Sequence, residues 1–171
     1  MNSDRPHLLI VDDEHFILNA LRLYFESHDF DVSAASDGDQ ASEIFAQKHK
    51  AIDVAILDLV MPGTHGLELL RSFKEIAPDV QVIIATGCGS MGSAVEALRL
   101  GAFDFITKPI LDFDTDLMRS VRNALEVRRS PEIPADPEPA SSEDHWFQVY
   151  ETLNQFAATY IGKPPTPKVL H

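Results

Sequence analysis

The stretch Val54-Ala55-Ile56-Leu57-Asp58-Leu59-Val60-Met61 is apolar except for one carboxylate. A run this continuous reads as a strand buried on both faces of a parallel sheet, because a strand with one wet face would alternate. Pro62 and Gly63 stop it at once. Asp58 therefore falls at the carboxyl edge of a central strand, where open α/β sheets bind ligands and carry chemistry.

Working outward, apolar runs at His7 to Val11, Asp31 to Ala35, Gln81 to Thr86 and Phe103 to Thr107 give four more strands. Helical spacing fills the gaps between them. Phe16, Ile17, Ala20, Leu21, Leu23, Tyr24 and Phe25 make a first stripe; Ala41, Ile44 and Phe45 a second; Leu67, Leu70, Phe73 and Ile76 a third. A fourth helix spans Ser90 to Leu100 on Ala94, Val95, Leu98 and Leu100, with Gly101 as its C-cap, and a fifth runs from about Asp114 to Arg129 on Leu117, Val121, Ala124 and Leu125. Five strands alternating with five helices predict an α/β, flavodoxin-like, doubly wound five-stranded parallel sheet of order 2-1-3-4-5. That order brings the ends of strands 1 and 3 together. Asp12 and Asp13 then meet Asp58, with Thr86 and Lys108 arriving from strands 4 and 5.

Composition narrows the function. The 171 residues hold 27 acidic and 14 basic side chains, a net charge of −13, which repels nucleic-acid phosphates and anionic membranes. We expect no direct nucleic-acid partner and no membrane partner. Cys88 is the single cysteine, so neither an intrachain disulfide nor a cysteine zinc site can form. The amino-terminal apolar run is too short for a signal or a span, which reads as a cytoplasmic protein.

Residues 1–129 read as one domain. Residues 130–144 turn to Pro, Ala, Ser, Glu and Asp and read as an extended linker. Helical spacing returns over 145–161 in Trp146, Val149, Tyr150, Leu153, Phe156, Ala157, Tyr160 and Ile161, and 162–171 reads as a loose tail. About 30 residues after the linker are too few for a further independent domain. The expectation is a stand-alone regulator whose last helix packs on its own domain, a dimer mate or a partner, the alternative being the amino-terminal piece of a longer protein.

Three clustered carboxylates repel one another. Two unit charges about 4 Å apart interact by roughly 4 kcal/mol at an effective dielectric of 20. A hard divalent cation relieves this, and Mg²⁺ suits few carboxylates with room for phosphate oxygens. With Lys108 added the charges of the three aspartates, the cation and the lysine sum to zero. In such a site Asp58 is the nucleophile of an aspartyl phosphate, Lys108 offsets charge on the phosphoryl oxygens, and the Thr86 hydroxyl donates to one of them. Each residue alone has a plainer role, since Asp12 and Asp13 precede a helix and could cap it. Their coincidence at four strand ends favours the site.

Val-Asp-Asp-Glu at 11–14, Leu-Asp-Leu-Val-Met-Pro-Gly at 57–63, Ala-Thr-Gly at 85–87 and Gly-Ala-Phe-Asp-Phe-Ile-Thr-Lys-Pro at 101–109 together resemble the receiver domain of two-component response regulators, over about residues 5–128. The resemblance implies phosphoryl transfer to Asp58 from a histidine kinase or histidine phosphotransfer protein. It implies Mg²⁺ on Asp13, Asp58 and the backbone carbonyl of Val60, with Asp12 assisting, and a cis Lys108–Pro109 bond. Thr86 and Phe105 match the family's switch pair, whose movement would repack the face of the fourth helix, fifth strand and fifth helix for a partner or a homodimer.

Two departures stand out. His65 occupies the loop position where the family often has Asp, and Phe105 lacks the hydroxyl of the frequent tyrosine. A phosphatase of the aspartate-nucleophile type would want a second acid two residues after the first, and that residue is Val60. The chain is therefore expected to be no enzyme beyond catalysing its own phosphorylation and dephosphorylation. A receiver-like scaffold that works without phosphate is the remaining rival.

Overall fold

The computed structural model describes residues 5–87 and 91–129. The linker, the helix over 145–161 and the tail expected from the sequence lie outside the described residues, as does Cys88.

Strands β1 (His7–Val11), β2 (Asp31–Ala35), β3 (Val54–Leu57), β4 (Gln81–Thr86) and β5 (Asp104–Thr107) form one sheet of order β2-β1-β3-β4-β5. Every pairing is parallel, with Leu8, Leu9, Ile10 and Val11 of β1 set against Val54, Ala55, Ile56 and Leu57 of β3. Helices α1 (His15–Glu26), α2 (Gly38–Lys48), α3 (Gly66–Ile76), α4 (Met91–Arg99) and α5 (Arg119–Arg129) connect and follow the strands. The flavodoxin-like arrangement expected from the alternating pattern is the one observed.

Alternation along each strand divides the core in two. Leu9, Val11, Ala55, Leu57, Val82 and Ile84 face Phe45 of α2 and Leu70 and Phe73 of α3. Leu8, Ile10, Val54, Ile56 and Ile83 face Leu18, Leu21 and Phe25 of α1 and Val121, Ala124 and Leu125 of α5. Phe45 and Phe73 stack with ring centroids 3.9 Å apart and tie α2 to α3. Both faces of the central strands are sealed, and only strand ends reach water.

Several apolar residues assigned to helix stripes face outward. Phe16 is 86% exposed and Leu23 61%, while Leu18, between them, is buried. Apolar spacing alone does not fix which side of an amphipathic helix meets the sheet. Ile76 is likewise exposed where Leu69 is buried. In α4 the contact is made by Ala94 and Ala97, and Val95, Leu98 and Leu100 are half-buried. The fifth helix departs most in form. Its first turns, Phe113–Met118, are π-helical, entered through Asp112, whose carboxylate accepts from the amides of Asp114 and Thr115.

Candidate functional site

The carboxyl ends of β1 and β3 adjoin, because β1 pairs directly with β3. The Asp58 amide donates to the Val11 carbonyl at 2.9 Å, continuing the ladder one step beyond the strand. Asp12 and Asp58 are thereby fixed side by side. Both are buried, 2% and 6% exposed, and Asp13 is half-buried beside them. One carboxylate oxygen from each of the three lies within 4.8 Å of the others, the separation at which a single cation can take all three.

Lys108 reaches this cluster from the far side. Its Nζ lies 2.5 Å from Asp12 Oδ2 and 2.8 Å from Asp58 Oδ2. Its backbone is held as well, the amide donating to the Thr86 carbonyl at 2.9 Å, and the Lys108–Pro109 bond is cis as expected. Burial pulls the ammonium down, yet hydrogen bonds and charge from Asp12 and Asp58 outweigh it and hold Lys108 above its ordinary value. Burial is also the main influence on Asp12 and pushes its carboxyl up, against the opposing pull of Lys108. The lysine stays charged, and one of its two acids is held there at a cost.

The remaining carboxylate oxygens are tied to local backbone. Asp12 Oδ1 accepts from the Glu14 amide at 2.9 Å, which starts α1, and Asp58 Oδ1 accepts from the Val60 amide at 3.0 Å. Asp13 has no such anchor among the described hydrogen bonds to its side chain. Val60 is half exposed at the mouth of the site, and Thr86, fully buried, ends β4 opposite Thr107 of β5. Phe105 sits half-buried in the middle of β5, one residue from the strand start at Asp104, and packs on the α3/α4 side of the core. Every residue singled out from sequence for the site lies at or beside this end of the sheet, apart from Phe105, which is placed along the strand that leads to Lys108.

The sequence pattern matches the family model described as response regulator receiver domain over residues 8–122. The chain belongs to the response regulator receiver family. Receiver domains of this family serve two-component systems. The chain is 41% identical over 126 residues to the C4-dicarboxylate transport transcriptional regulatory protein DctD of Pseudomonas aeruginosa, covering 73% of this chain and 26% of that protein. It is 36% identical to the regulatory protein AtoC of Escherichia coli, over 71% of this chain and 25% of AtoC. The chain thus spans about a quarter of the length of these relatives. Among solved structures, a receiver domain protein from Clostridium thermocellum matches at 34% identity and TM-score 0.69, over 72% of this chain and 97% of that one. A chain of the CheX–CheY–BeF3–Mg²⁺ complex from Borrelia burgdorferi matches at 30% identity and TM-score 0.65, over 69% and 87%.

Two features of the receiver site went unread in the sequence. His65 is the N-cap of α3, its Nδ1 accepting from the Leu67 amide at 3.3 Å. Gly66 lies so close to the acceptor that a Cβ there would stand 2.2 Å from the Asp58 carbonyl oxygen. The Pro-Gly-Thr-His-Gly loop signalled a turn; that its glycine seats a helix on Asp58 required the fold. Among the described residues no helix is long and apolar enough to cross a membrane.

Proposed function

We propose that the chain is a phosphorylation-dependent signalling switch that accepts a phosphoryl group on Asp58 from a histidine kinase or a histidine phosphotransfer protein. The observation that carries this reading is the charge at the carboxyl end of the sheet. Of three clustered carboxylates, the buried Asp12 and Asp58 share Lys108 and Asp13 has no ion pair among the described residues, which leaves two negative charges uncompensated. Mg²⁺, when bound, supplies those two positive charges and a Lewis-acid anchor for phosphoryl oxygens. Asp12, Asp13, Asp58 and the Val60 carbonyl would hold it.

In the transfer, a carboxylate oxygen of Asp58 attacks phosphorus. The new O–P bond forms as the bond from phosphorus to the donor breaks, and the donor keeps the electron pair. Lys108, held charged by its two acids, offsets the negative charge on the phosphoryl oxygens. The Thr86 hydroxyl donates to one of them. Since the residue two places after Asp58 is Val60, no second acid stands there to drive turnover on a separate substrate. The chain acts on itself and is not otherwise an enzyme.

The signal leaves through α4, β5 and α5. Phe105 is half-buried in β5, and among the described side chains of α4 Ala94 and Ala97 are buried while Val95 and Leu98 are half-buried. A phosphoryl group on Asp58 that draws Thr86 and Phe105 inward would repack this face by shifting the population between two arrangements. Such a face suits a partner protein or a homodimer. The relatives' names attach transcriptional regulation to much longer proteins, and the output proposed here is confined to this face.

Incubation with Mg²⁺ and a labelled small acyl phosphate tests the reading. Label retained on Asp58 supports the switch. Rapid release through many turnovers would instead mark a phosphatase, and no label would mark a scaffold that works without phosphate.

A further inference from the structure

The loop between β3 and α3 carries a histidine that phosphoryl transfer leaves unused. His65 has extended backbone, φ −75° and ψ 137°, and its Nδ1 accepts from the Leu67 amide. N-caps are ordinarily Ser, Thr, Asp or Asn, whose oxygens accept across the neutral range. An imidazole nitrogen accepts only while unprotonated; with both nitrogens protonated the ring is a donor and a cation. That cation would sit at the helix end where the aligned peptide dipoles are already positive. His65 caps α3 in one protonation state and opposes it in the other.

Beneath this cap lies the acceptor. The Gly66 amide donates to the Leu59 carbonyl at 3.0 Å, and a Cβ at Gly66 would meet both the Asp58 carbonyl oxygen and Leu59 Cα, at 2.2 and 2.7 Å. The first residue of α3 is therefore seated on the Asp58 peptide itself. On its other side the loop abuts α2, where a Cβ at Gly38 would lie 2.4 Å from Thr64 Cβ. The charged groups on the elements this loop touches are Glu68 in the first turn of α3, whose amide donates to the His65 carbonyl, and Asp37 and Asp39 at the start of α2, where Gly38 meets Thr64. All are acidic, so they attract the imidazolium, while the cap bond and the helix dipole resist it.

We propose that His65 is a positioning residue for Asp58 whose hold on α3 is released by one proton, so that phosphoryl acceptance by this chain depends on pH. The inference rests on the phosphoacceptor reading, and the experiment separates the two. Initial rates with Mg²⁺ and a small acyl phosphate are measured from about pH 8 down to about pH 5.5, a span across which an imidazole changes charge. The natural chain is compared with His65→Asn and His65→Ala. Asn caps well and does not titrate, so the ratio of the natural chain to His65→Asn cancels the pH dependence of the donor and of the acidic site.

That ratio is expected to stay near one at the upper end and to fall roughly three- to tenfold toward the lower end, the scale of one lost cap. His65→Ala should be slow throughout, with a profile parallel to His65→Asn. In the natural chain the Leu67 amide resonance should follow the titration of the His65 ring. Parallel profiles for the natural chain and His65→Asn, or a Leu67 amide indifferent to the ring, would overturn the inference. Should no form accept a phosphoryl group at any pH, the proposed function fails, and the claim that this proton governs acceptance falls with it.

Discussion

Strands β1 and β3 are flanked by charge at both ends, and the two ends handle it differently. At the amino end, Asp53 accepts the His7 amide at 2.8 Å and pairs with Arg128 of α5 at 3.4 Å, while the Arg128 guanidinium also donates to the Ile52 carbonyl. His7 Nε2 lies 2.9 Å from Ser33 Oγ, which also accepts from Lys48 at 3.4 Å. That end settles its charge within the chain. At the carboxyl end, Asp12 and Asp58 both pair with Lys108, and Asp13 beside them has no ion pair among the described residues. The difference separates charge that staples helices to a sheet from charge kept in surplus for something that arrives.

If the comparison is right, substitutions at the two ends should fail in different ways. Asp58→Asn should reduce phosphoryl incorporation from an acyl phosphate to background by radiolabel counting, while Asp53→Asn keeps the parental rate. Lys108→Met removes the cation from two buried carboxylates and should cost about 3 kcal/mol in chemical denaturation, part of it recovered on adding Mg²⁺. Gly66→Ala forces a methyl group against the Asp58 carbonyl and should cost about 2 kcal/mol, with weaker Mg²⁺ binding in titration calorimetry. Arg128→Ala should cost about 1 kcal/mol and leave phosphorylation unchanged, since the pair it breaks is partly solvated and remote.

The smallest effect concerns His7. Burial first, and then the Lys48 charge, lower its affinity for a proton below the ordinary value of 6.5. The unfolded chain then binds that proton more readily. The stability His7 confers is full above pH 6.5 and is lost as pH falls through its lower folded value. Denaturation midpoints of the natural chain should therefore drop further across mildly acid pH than those of His7→Gln. An equal drop in both would remove His7 from the amino-end network.

Much of this was legible in the sequence because parallel strands buried on both faces are continuous apolar runs, and strand ends are where chemistry collects. The order of the sheet and the meeting of Asp12, Asp13, Asp58 and Lys108 followed from that. Which side of a helix turns inward did not follow. Phe16 and Leu23 have the right spacing for the stripe of α1, yet the sheet selects Leu18, Leu21 and Phe25. The π-helical turn at Phe113–Met118 and the Asp53–Arg128 pair depend on where α5 lands against β3, which no local pattern encodes. His65 stood out as a departure from the family's Asp. Its capping bond to Leu67 became visible only once α3 was in place.

The carboxyl end of the sheet carries surplus negative charge, and calorimetric titration with Mg²⁺ measures that surplus directly. The natural chain and Asp53→Asn are expected to bind one Mg²⁺ per chain with equal affinity, and Asp13→Asn to bind it far more weakly. Binding that is absent from the natural chain, or that survives Asp13→Asn undiminished, would contradict it.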